Sequence, residues 1–252
     1  MLKIIISGCN GHMGCVVGSL CQADPAVEIC AGFDVLGTAD RDFPVYASPA
    51  QFVGEADAVI DFSSPAALDG LLEFAKARNI PLVLATTGYS PEQTAQVGAA
   101  ALEIPIFRSA NMSLGVNLLL KLVKDAAKVL AGSGFDIEIV EKHHNQKMDA
   151  PSGTAIALAD SINQAMDMSY GYTYDRSTRR EKRHASEIGI SAVRGGSIVG
   201  EHDVIFAGTD EVVTFSHTAY SKAIFAKGAL EAAKFLAGKG PGLYTMADVV
   251  KL

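Results

Sequence analysis

Residues 141–155 read EKHHNQKMDAPSGTA and hold a dense group of protonatable side chains. His143 and His144 are adjacent, and Lys147 follows three residues after the second histidine. Histidine titrates near neutral pH, so one of the pair can donate a proton. Lysine supplies a fixed positive charge, or a proton if its pKa is lowered. This combination of side chains is suited to proton transfer on a negatively charged small molecule.

The PSGT step at residues 151–154 precedes a run of apolar residues that predicts a helix start. Small residues there leave backbone N–H groups pointing forward, which is typical of an anion site. A plain N-cap would explain a serine or a threonine, but not the charged run before it. A strand predicted at Asp136–Glu141 would deliver His143, His144 and Lys147 just ahead of this helix. We therefore predict a site for a small carboxylate or dicarboxylate.

Two other interpretations of the histidine pair remain open. Adjacent histidines can bind a metal, but no carboxylate or cysteine lies at ligand spacing on the same element, so no metal is predicted. An isolated histidine pair at a surface usually has no function. Lys147 and the PSGT step that follow the pair favour a functional site.

Gly8, Gly11 and Gly14 form the segment GCNGHMG between a predicted strand and a predicted helix. Glycine allows the tight turn and lets a pyrophosphate approach the main chain and the helix N-terminus. Asp34 lies twenty residues beyond Gly14, at the end of the second strand, where an acidic residue meets the adenosine ribose hydroxyls. Taken alone, the glycines could form a plain turn and Asp34 could be an ordinary strand-end residue. Together they predict a dinucleotide site.

Asp34 also bears on the choice of cofactor. A carboxylate at this place repels a 2′-phosphate, and the next residues, Val35-Leu36-Gly37, supply no arginine to bind one. The sequence therefore favours NADH over NADPH. Two further strand ends, ATTG at residues 85–88 and ANMS at residues 110–113, could meet the nicotinamide ribose and carboxamide, because ligands bind at the carboxyl ends of parallel strands. Either segment could equally be an ordinary loop.

The composition describes a chain of 252 residues that is 49% hydrophobic and carries a net charge of -7. That charge argues weakly against nucleic acid or an acidic membrane surface as the partner. The N-terminal apolar run is too short for a signal peptide, and no stretch approaches the roughly 18 apolar residues of a membrane span. Cys9, Cys15, Cys21 and Cys30 match neither a zinc site nor a redox pair. We predict a soluble cytoplasmic protein with reduced, buried cysteines.

The first half of the chain alternates apolar strands with helices. Such strands predict a parallel sheet covered on both faces. They are expected at Leu2–Ser7, Val27–Phe33, Asp57–Phe62, Pro81–Thr87 and Ile104–Ala110.

A different pattern follows after about residue 113. A long helix, a strand and the helix after PSGT lead to residues 169–186, which we expect to be an exposed loop. Three strands, separated by short glycine turns, then predict an antiparallel meander: 188–194, 197–206 and 211–217. The fold class is thus α/β, with a doubly wound Rossmann-type domain and a second, inserted α+β domain. The last helix could belong to either domain.

The pattern E-x-H-H-x-x-K-x-D-A-P-S-G-T-A closely resembles the signature of the 4-hydroxy-tetrahydrodipicolinate reductase (dihydrodipicolinate reductase) family. The segments GCNGHMG, DAVIDFSSPA, LATTGYS, SANMSLGVN and AVRGGSIVGEH also resemble family segments, in the expected order and over nearly the whole chain. The resemblance implies NAD(P)H-dependent reduction of 4-hydroxy-tetrahydrodipicolinate to tetrahydrodipicolinate in diaminopimelate and lysine biosynthesis.

The resemblance also implies roles for individual residues. His143 would be the proton donor and acceptor, Lys147 a proton donor, and His144 with Gly153 and Thr154 would bind the dicarboxylate substrate. The residues implied to bind the cofactor are Gly8, Cys9, Asn10, Gly11, His12, Met13, Asp34, Ala85, Thr86, Thr87, Ala110, Asn111, Met112 and Ser113.

The implied domains are a dinucleotide-binding domain of residues 1–112 with 219–252 and a substrate-binding domain of residues 113–218 that also builds a homotetramer. This chain departs from the family pattern in three places: Ala85 stands where glycine is common, no arginine follows Asp34, and the loop at 176–183 is unusually basic. Without this arginine, we do not expect a preference for NADPH. We interpret the basic loop as solvated and mobile.

Two rival functions remain open at this point. One is a different two-domain NAD-dependent dehydrogenase that acts on another small carboxylic acid. The other is a non-catalytic NAD(H)-sensing protein, which would tolerate the loss of His143 and Lys147; their joint presence speaks against it.

Overall fold

A computed structural model describes residues 1–37 and 41–250. The helices are α1 (His12–Gln22), α2 (Leu68–Arg78), α3 (Pro91–Ala100), α4 (Leu114–Leu130), α5 (Gly153–Ala165), α6 (Ala223–Leu236) and α7 (Met246–Val249). The strands are β1 (Leu2–Ser7), β2 (Val27–Phe33), β3 (Val45–Tyr46), β4 (Ala58–Asp61), β5 (Leu82–Leu84), β6 (Pro105–Arg108), β7 (Asp136–His143), β8 (Gly171–Tyr174), β9 (Glu187–Arg194), β10 (Gly200–Ala207), β11 (Val212–Ala219) and β12 (Gly242–Tyr244). The chain forms two compact units, Met1–Ser113 with Ala223–Leu252, and Leu114–Lys222.

The first unit is built on a seven-stranded parallel sheet with the strand order β12-β6-β5-β4-β1-β2-β3. Ile4, Ile5 and Ile6 are all fully buried, as expected for a strand whose two faces are both covered. The predicted α/β fold class is therefore confirmed. The C-terminal helix α6 and strand β12 belong to this unit. Strands β3 and β12 are two and three residues long, too short to predict from a periodic pattern.

The second unit contains a five-stranded mixed sheet with the order β11-β10-β7-β9-β8. The predicted meander is correct for the antiparallel pair β10 and β11 but wrong for β9, which pairs in parallel with β7 and β8. β7 lies between β9 and β10 and places Ile137 and Ile139 in the core. A glycine turn indicates only the local geometry between two strands. Which strands pair is decided by the burial of β7 between β9 and β10. Ala219 still pairs with Gly200, so this unit extends to Lys222.

The segment expected to be an exposed loop, residues 169–186, contains strand β8. Arg183 is mostly buried and donates hydrogen bonds to the main-chain oxygens of Ile137 and Glu187. Arg176 forms ion pairs with Glu138 and Glu187. The interpretation of the basic loop as solvated and mobile is therefore wrong for these two arginines. They anchor the segment to β7 and β9.

Helices α4 and α5 cover one face of this sheet. On α4, Val116, Leu119, Val123 and Ala127 recur at helical spacing and are buried. On α5, Leu158 and Ile162 pack into the same core cluster. This packing holds the start of α5 against the end of β7.

The four cysteines are free thiols. Cys9 and Cys21 are buried as predicted, whereas Cys15 and Cys30 are half-buried. Burial raises the pKa of the Cys9 thiol to about 11. Within residues 1–37 and 41–250, no helix is long and apolar enough to cross a membrane.

Candidate active site

The glycine loop joins β1 to α1 and is shaped by close backbone contacts. Gly8 has a φ of +75°, and a Cβ there would lie 2.8 Å from the carbonyl oxygen of Phe62. A Cβ on Gly14 would lie 2.1 Å from the carbonyl oxygen of Gly8. Because the strand and the helix approach each other this closely, neither position can accept a larger residue. Gly11 is the N-cap of α1 and makes no side-chain cap, so the helix start faces the loop with main-chain groups.

Asp34 lies directly beside this loop. One carboxylate oxygen accepts the N–H of Asn10 at 3.1 Å, and the other accepts the N–H of Leu36 at 3.1 Å. Asn10 in turn donates its side-chain amide to the carbonyl oxygen of Gly37 at 3.2 Å. The structure therefore brings together the glycine loop and the acidic residue that the sequence assigns to one nucleotide site.

A cavity of about 430 Å³ opens at the carboxyl ends of β1, β2 and β4. Its lining includes Gly8, Gly11, Asp34, Ser63 and Ser64. A mostly apolar cleft of this size, with a few polar groups, fits part of a dinucleotide. The main chain of the loop glycines, which has no side chains in the way, and the carboxylate of Asp34 are the features that such a ligand needs.

Sequence reasoning missed Ser63 and the residue that holds it. The carboxylate of Asp61, fully buried at the end of β4, accepts the Ser63 hydroxyl at 2.5 Å and the Ser63 N–H at 3.2 Å. An aspartate at the end of an apolar strand, followed after Phe62 by two serines, was the available signal.

Arg41 was also missed, because it lies seven residues after Asp34 and no local pattern connects the two. Its guanidinium donates to the carbonyl oxygen of Cys9 at 2.8 Å and contacts the sulfur of Cys15 at 3.0 Å. An arginine is therefore present at the loop, although not in the positions directly after Asp34.

The remaining residues assigned to the cofactor fall into two groups. Cys9 is buried, and its main-chain N–H and carbonyl oxygen bond Phe33 and Arg41. His12 and Met13 begin α1. Residues 85–87 follow β5, and residues 110–113 follow β6, at the same carboxyl edge of the sheet as β4. These two segments are not in the lining of the cavity described above.

In the second unit, His143 is the last residue of β7, which runs two residues further than predicted. Its Nδ1 lies 2.6 Å from a carboxylate oxygen of Glu141. On the other side of the ring, a Cβ at position 200 would approach Nε2 to 3.0 Å, so Gly200 leaves space for the imidazole. His143 is mostly buried, with an exposed fraction of 8%.

Glu141 is fully buried and is paired with an arginine from β9. The guanidinium of Arg194 donates to both carboxylate oxygens, each at 2.7 Å. The N–H of Ser152 donates to one of them at 2.9 Å. Burial alone would raise the pKa of Glu141, but the hydrogen bonds from Arg194, His143 and Ser152 outweigh burial and lower it.

Ser152 is the N-cap of α5, and its hydroxyl accepts the N–H of Ala155 at 3.1 Å. The same hydroxyl lies 2.9 Å from Nε2 of His202. The rings of His202 and His143 pack edge to face with centroids 5.2 Å apart. Burial, and then the nearby His143, lower the pKa of His202 to about 4, so this histidine is neutral at pH 7.

The side-chain nitrogen of Lys147 lies 2.8 Å from a carboxylate oxygen of Asp149. The main-chain N–H of Lys147 donates to the carbonyl oxygen of His144 at 3.2 Å. Gly153 begins α5 and is exposed, and a Cβ there would contact nothing within 4 Å. Protein packing therefore does not require glycine at this position. The open space suits the approach of an anion to the helix start.

The structure thus gathers the predicted residues of segment 141–154 at the junction of β7 and α5. It adds Glu141, Arg194 and His202, to which the sequence analysis assigned no role, and it shows that Ser152 of the PSGT step donates its main-chain N–H to Glu141. A signal was present, because Arg194 and His202 stand at the positions of their strands that face the core. A charged or polar residue at such a position needs a buried partner.

The model of dihydrodipicolinate reductase, N-terminus, matches residues 2–112, and the model of dihydrodipicolinate reductase, C-terminus, matches residues 115–250. The chain belongs to the dihydrodipicolinate reductase family. A 4-hydroxy-tetrahydrodipicolinate reductase of Caldanaerobacter subterraneus is 58% identical over 100% of this chain and 99% of its own. The corresponding protein of Clostridium novyi is 46% identical over the same shares. The predicted family and its oxidoreductase class are confirmed.

Solved structures show the same fold. Dipicolinate-bound dihydrodipicolinate reductase from Paenisporosarcina superposes with a TM-score of 0.82 at 23% identity, over 99% of this chain and 100% of that one. A probable dehydrogenase from Thermotoga maritima shares the fold more distantly, with a TM-score of 0.58 at 11% identity, over 98% and 92% of the two chains. Members of the dihydrodipicolinate reductase family use a pyridine nucleotide, NAD(P)H.

Proposed function

We propose that this reductase converts 4-hydroxy-tetrahydrodipicolinate to tetrahydrodipicolinate in diaminopimelate and lysine biosynthesis. The observation that carries the proposal is the link between His143 and the start of α5. One buried carboxylate, Glu141, contacts both the imidazole and the N–H of Ser152. A proton source and an anion-binding helix start are thereby joined in one rigid network, as reduction of a small dicarboxylate requires.

The cofactor role belongs to the first unit. NAD(P)H, when bound, supplies the hydride. The main chain from Gly8 to Met13 and the carboxylate of Asp34 would hold its adenosine and pyrophosphate, while residues 85–87 and 110–113 would hold the nicotinamide end. NADH is the preferred form in this proposal. The carboxylate of Asp34 repels a 2′-phosphate, and the guanidinium of Arg41 already donates to Cys9 and Cys15.

The proton and substrate roles belong to the second unit. His143 supplies the proton. Lys147 exchanges its partner Asp149 for a substrate carboxylate and acts as a further proton donor. His144, with Gly153 and Thr154 in the first turn of α5, binds and orients the dicarboxylate.

We further propose that the protein is a homotetramer in the cytoplasm, without a metal. The support for assembly is the sheet of the second unit, because helices α4 and α5 cover only one of its faces. The opposite face carries the partly exposed Val140 and Ile205 and the exposed Thr214, which a second subunit could cover. Light scattering on the purified protein measures the oligomeric state directly.

The test of the proposed function is a coupled assay in which pyruvate and aspartate semialdehyde generate the substrate in place. Oxidation of NADH is followed for the wild type, His143→Gln, Lys147→Ala and Lys142→Ala. We expect turnover by the wild type and losses on the order of 100-fold for the first two variants. Lys142 serves as the matched control, because it lies on the opposite face of β7 and pairs with Glu201 and Asp203.

If Lys142→Ala is fully active and Lys147→Ala is not, the loss of turnover comes from the position of Lys147 and not from the removal of one lysine charge. A folded wild type that binds NADH without any turnover would contradict the proposal.

A further inference from the structure

We propose that Glu141 is a positioning residue that holds His143 in the tautomer protonated at Nδ1, with Arg194 as its counter-charge. This inference rests on the proposed function, in which His143 transfers the proton. It concerns which ring nitrogen does so and what fixes that choice. Neither Glu141 nor Arg194 belongs to the residues assigned above to substrate or cofactor.

The hydrogen bonds of Glu141 account for both of its oxygens. Oε2 accepts from Nδ1 of His143 at 2.6 Å and from Nη1 of Arg194 at 2.7 Å. Oε1 accepts from Nη2 of Arg194 at 2.7 Å and from the N–H of Ser152 at 2.9 Å. An ionised carboxylate can only accept, so the imidazole must carry a hydrogen on Nδ1. Nε2 is then the nitrogen that can give up or take a proton.

The ionised state of Glu141 follows from its surroundings. A fully buried carboxylate is costly unless it is paired and hydrogen-bonded. The two parallel N–H···O bonds from Arg194 provide such a pair with a defined geometry. The hydrogen bonds that lower the pKa of Glu141 agree with this assignment.

Arg194 extends the network toward the lysine. Its Nη2 also donates to the main-chain oxygen of Asp149 at 2.6 Å, and the side chain of Asp149 pairs with Lys147. One arginine therefore ties the carboxylate that orients His143 to the segment that carries Lys147. The neighbouring His202 is neutral at pH 7 and approaches His143 only through ring contact.

The consequence for the reaction is a fixed direction for the proton. To act as donor, His143 first takes a proton from solvent on Nε2, so that both ring nitrogens carry a hydrogen. When this Nε2–H bond breaks, the proton passes to the reduced substrate, the electron pair remains on Nε2, and the neutral tautomer with its hydrogen on Nδ1 is restored. The Nδ1–H bond stays with Glu141 throughout. The other tautomer would present a lone pair to Glu141 and repel it, so the imidazole would have to turn.

The first test is Glu141→Gln, which keeps the shape of the side chain but places an amide N–H near Nδ1. The ¹⁵N NMR signals of His143 in the free protein should change from Nδ1–H to Nε2–H. In the assay, kcat should fall about 100-fold, whereas the KM for NADH should not change. Glu138→Gln is the matched control, because Glu138 lies on the outer face of β7 and is also paired with arginines. It should keep the wild-type tautomer and kcat.

The second test separates a role through His143 from a general structural role. If Glu141 acts through His143, the double variant Glu141→Gln with His143→Gln should be no slower than His143→Gln alone. Multiplied losses in the double variant would overturn the proposal. So would an unchanged tautomer in Glu141→Gln.

Arg194→Lys serves if Glu141→Gln does not fold, because it keeps the charge and removes the paired geometry. It should retain the Nδ1–H tautomer with a loss of about 10-fold in kcat, and a change of tautomer there would overturn the proposal. The NMR measurement needs no substrate. Failure of the proposed function would therefore show as absent turnover in the wild type, independently of the tautomer.

Discussion

Protonation of the buried His202 couples stability to pH. Its pKa falls from 6.5 to about 4, first because it is buried and then because His143 is close. Between these two values the unfolded chain binds more protons than the folded protein. The free energy of unfolding must therefore decrease as the pH falls from 6.5 to about 4, with no contribution from this group above 6.5.

We predict that His202→Gln flattens this pH dependence. The amide of glutamine can replace Nε2 near Ser152 but does not titrate. Urea unfolding is measured at pH 7, 6 and 5. The free energy of unfolding should decrease less steeply with falling pH in the variant than in the wild type, and the two slopes should differ by up to about 1.4 kcal/mol per pH unit. The lowered pKa of His217 acts in both proteins and cancels in the comparison. Equal slopes in the two proteins would show that His202 is not the group responsible.

At the same scale, Asp34 should decide between the two nucleotides. Its carboxylate is held by the N–H groups of Asn10 and Leu36 beside the glycine loop. We predict that Asp34→Ala raises the ratio of kcat/KM for NADPH to that for NADH by roughly 10-fold, because one charge repulsion is removed. Initial rates with both nucleotides measure this ratio, with Asp42→Ala as the control. A ratio that stays the same would assign the preference to other residues.

At the scale of elements, α6 depends on one close backbone contact. A Cβ on Gly228 would lie 1.7 Å from the carbonyl oxygen of Met112, in the segment that follows β6. Gly98 on α3 is the opposite case, because a Cβ there would meet nothing within 4 Å. Packing therefore requires glycine at position 228 but not at position 98.

We predict that Gly228→Ala destabilises the protein by about 1–3 kcal/mol through overpacking and weakens NADH binding by displacing Met112. Gly98→Ala should instead stabilise it by about 0.5–1 kcal/mol, because alanine favours the helix. Urea unfolding and NADH titration of both variants measure these effects. A tolerated Gly228→Ala would mean that α6 shifts freely against the segment after β6.

At the scale of the whole molecule, the first unit is discontinuous in sequence and the second is continuous. α6 contributes Ala226, Ala229, Leu230 and Ala233 to the core, and β12 extends the sheet beside β6. The second unit has its own core cluster around α4, α5 and β7.

We predict that residues 1–222 lose the fold of the first unit and NADH binding, whereas residues 114–222 alone unfold cooperatively. Circular dichroism during urea unfolding, with NADH titration, tests both fragments. If residues 1–222 bind NADH as tightly as the full chain, α6 and β12 are dispensable and the prediction is wrong.

Local patterns in the sequence determined much of this protein. The strand β1, the glycine loop and Asp34 could be placed because each depends on residues close together along the chain. The signature from Glu141 to Thr154 identified the family and the candidate site residues. The boundary of β7 at His143 and the strand β8 were missed, because short extensions and short strands leave no periodic signal.

Only the tertiary structure decided which distant groups meet. Arg194 contacts Glu141 across 53 residues, and His202 contacts Ser152 across 50 residues. Likewise, β7 lies between β9 and β10, although a glycine turn joins those two strands in sequence. The physical reason is that buried charges and strand edges take their partners from whatever the core brings near, and no short segment contains that information.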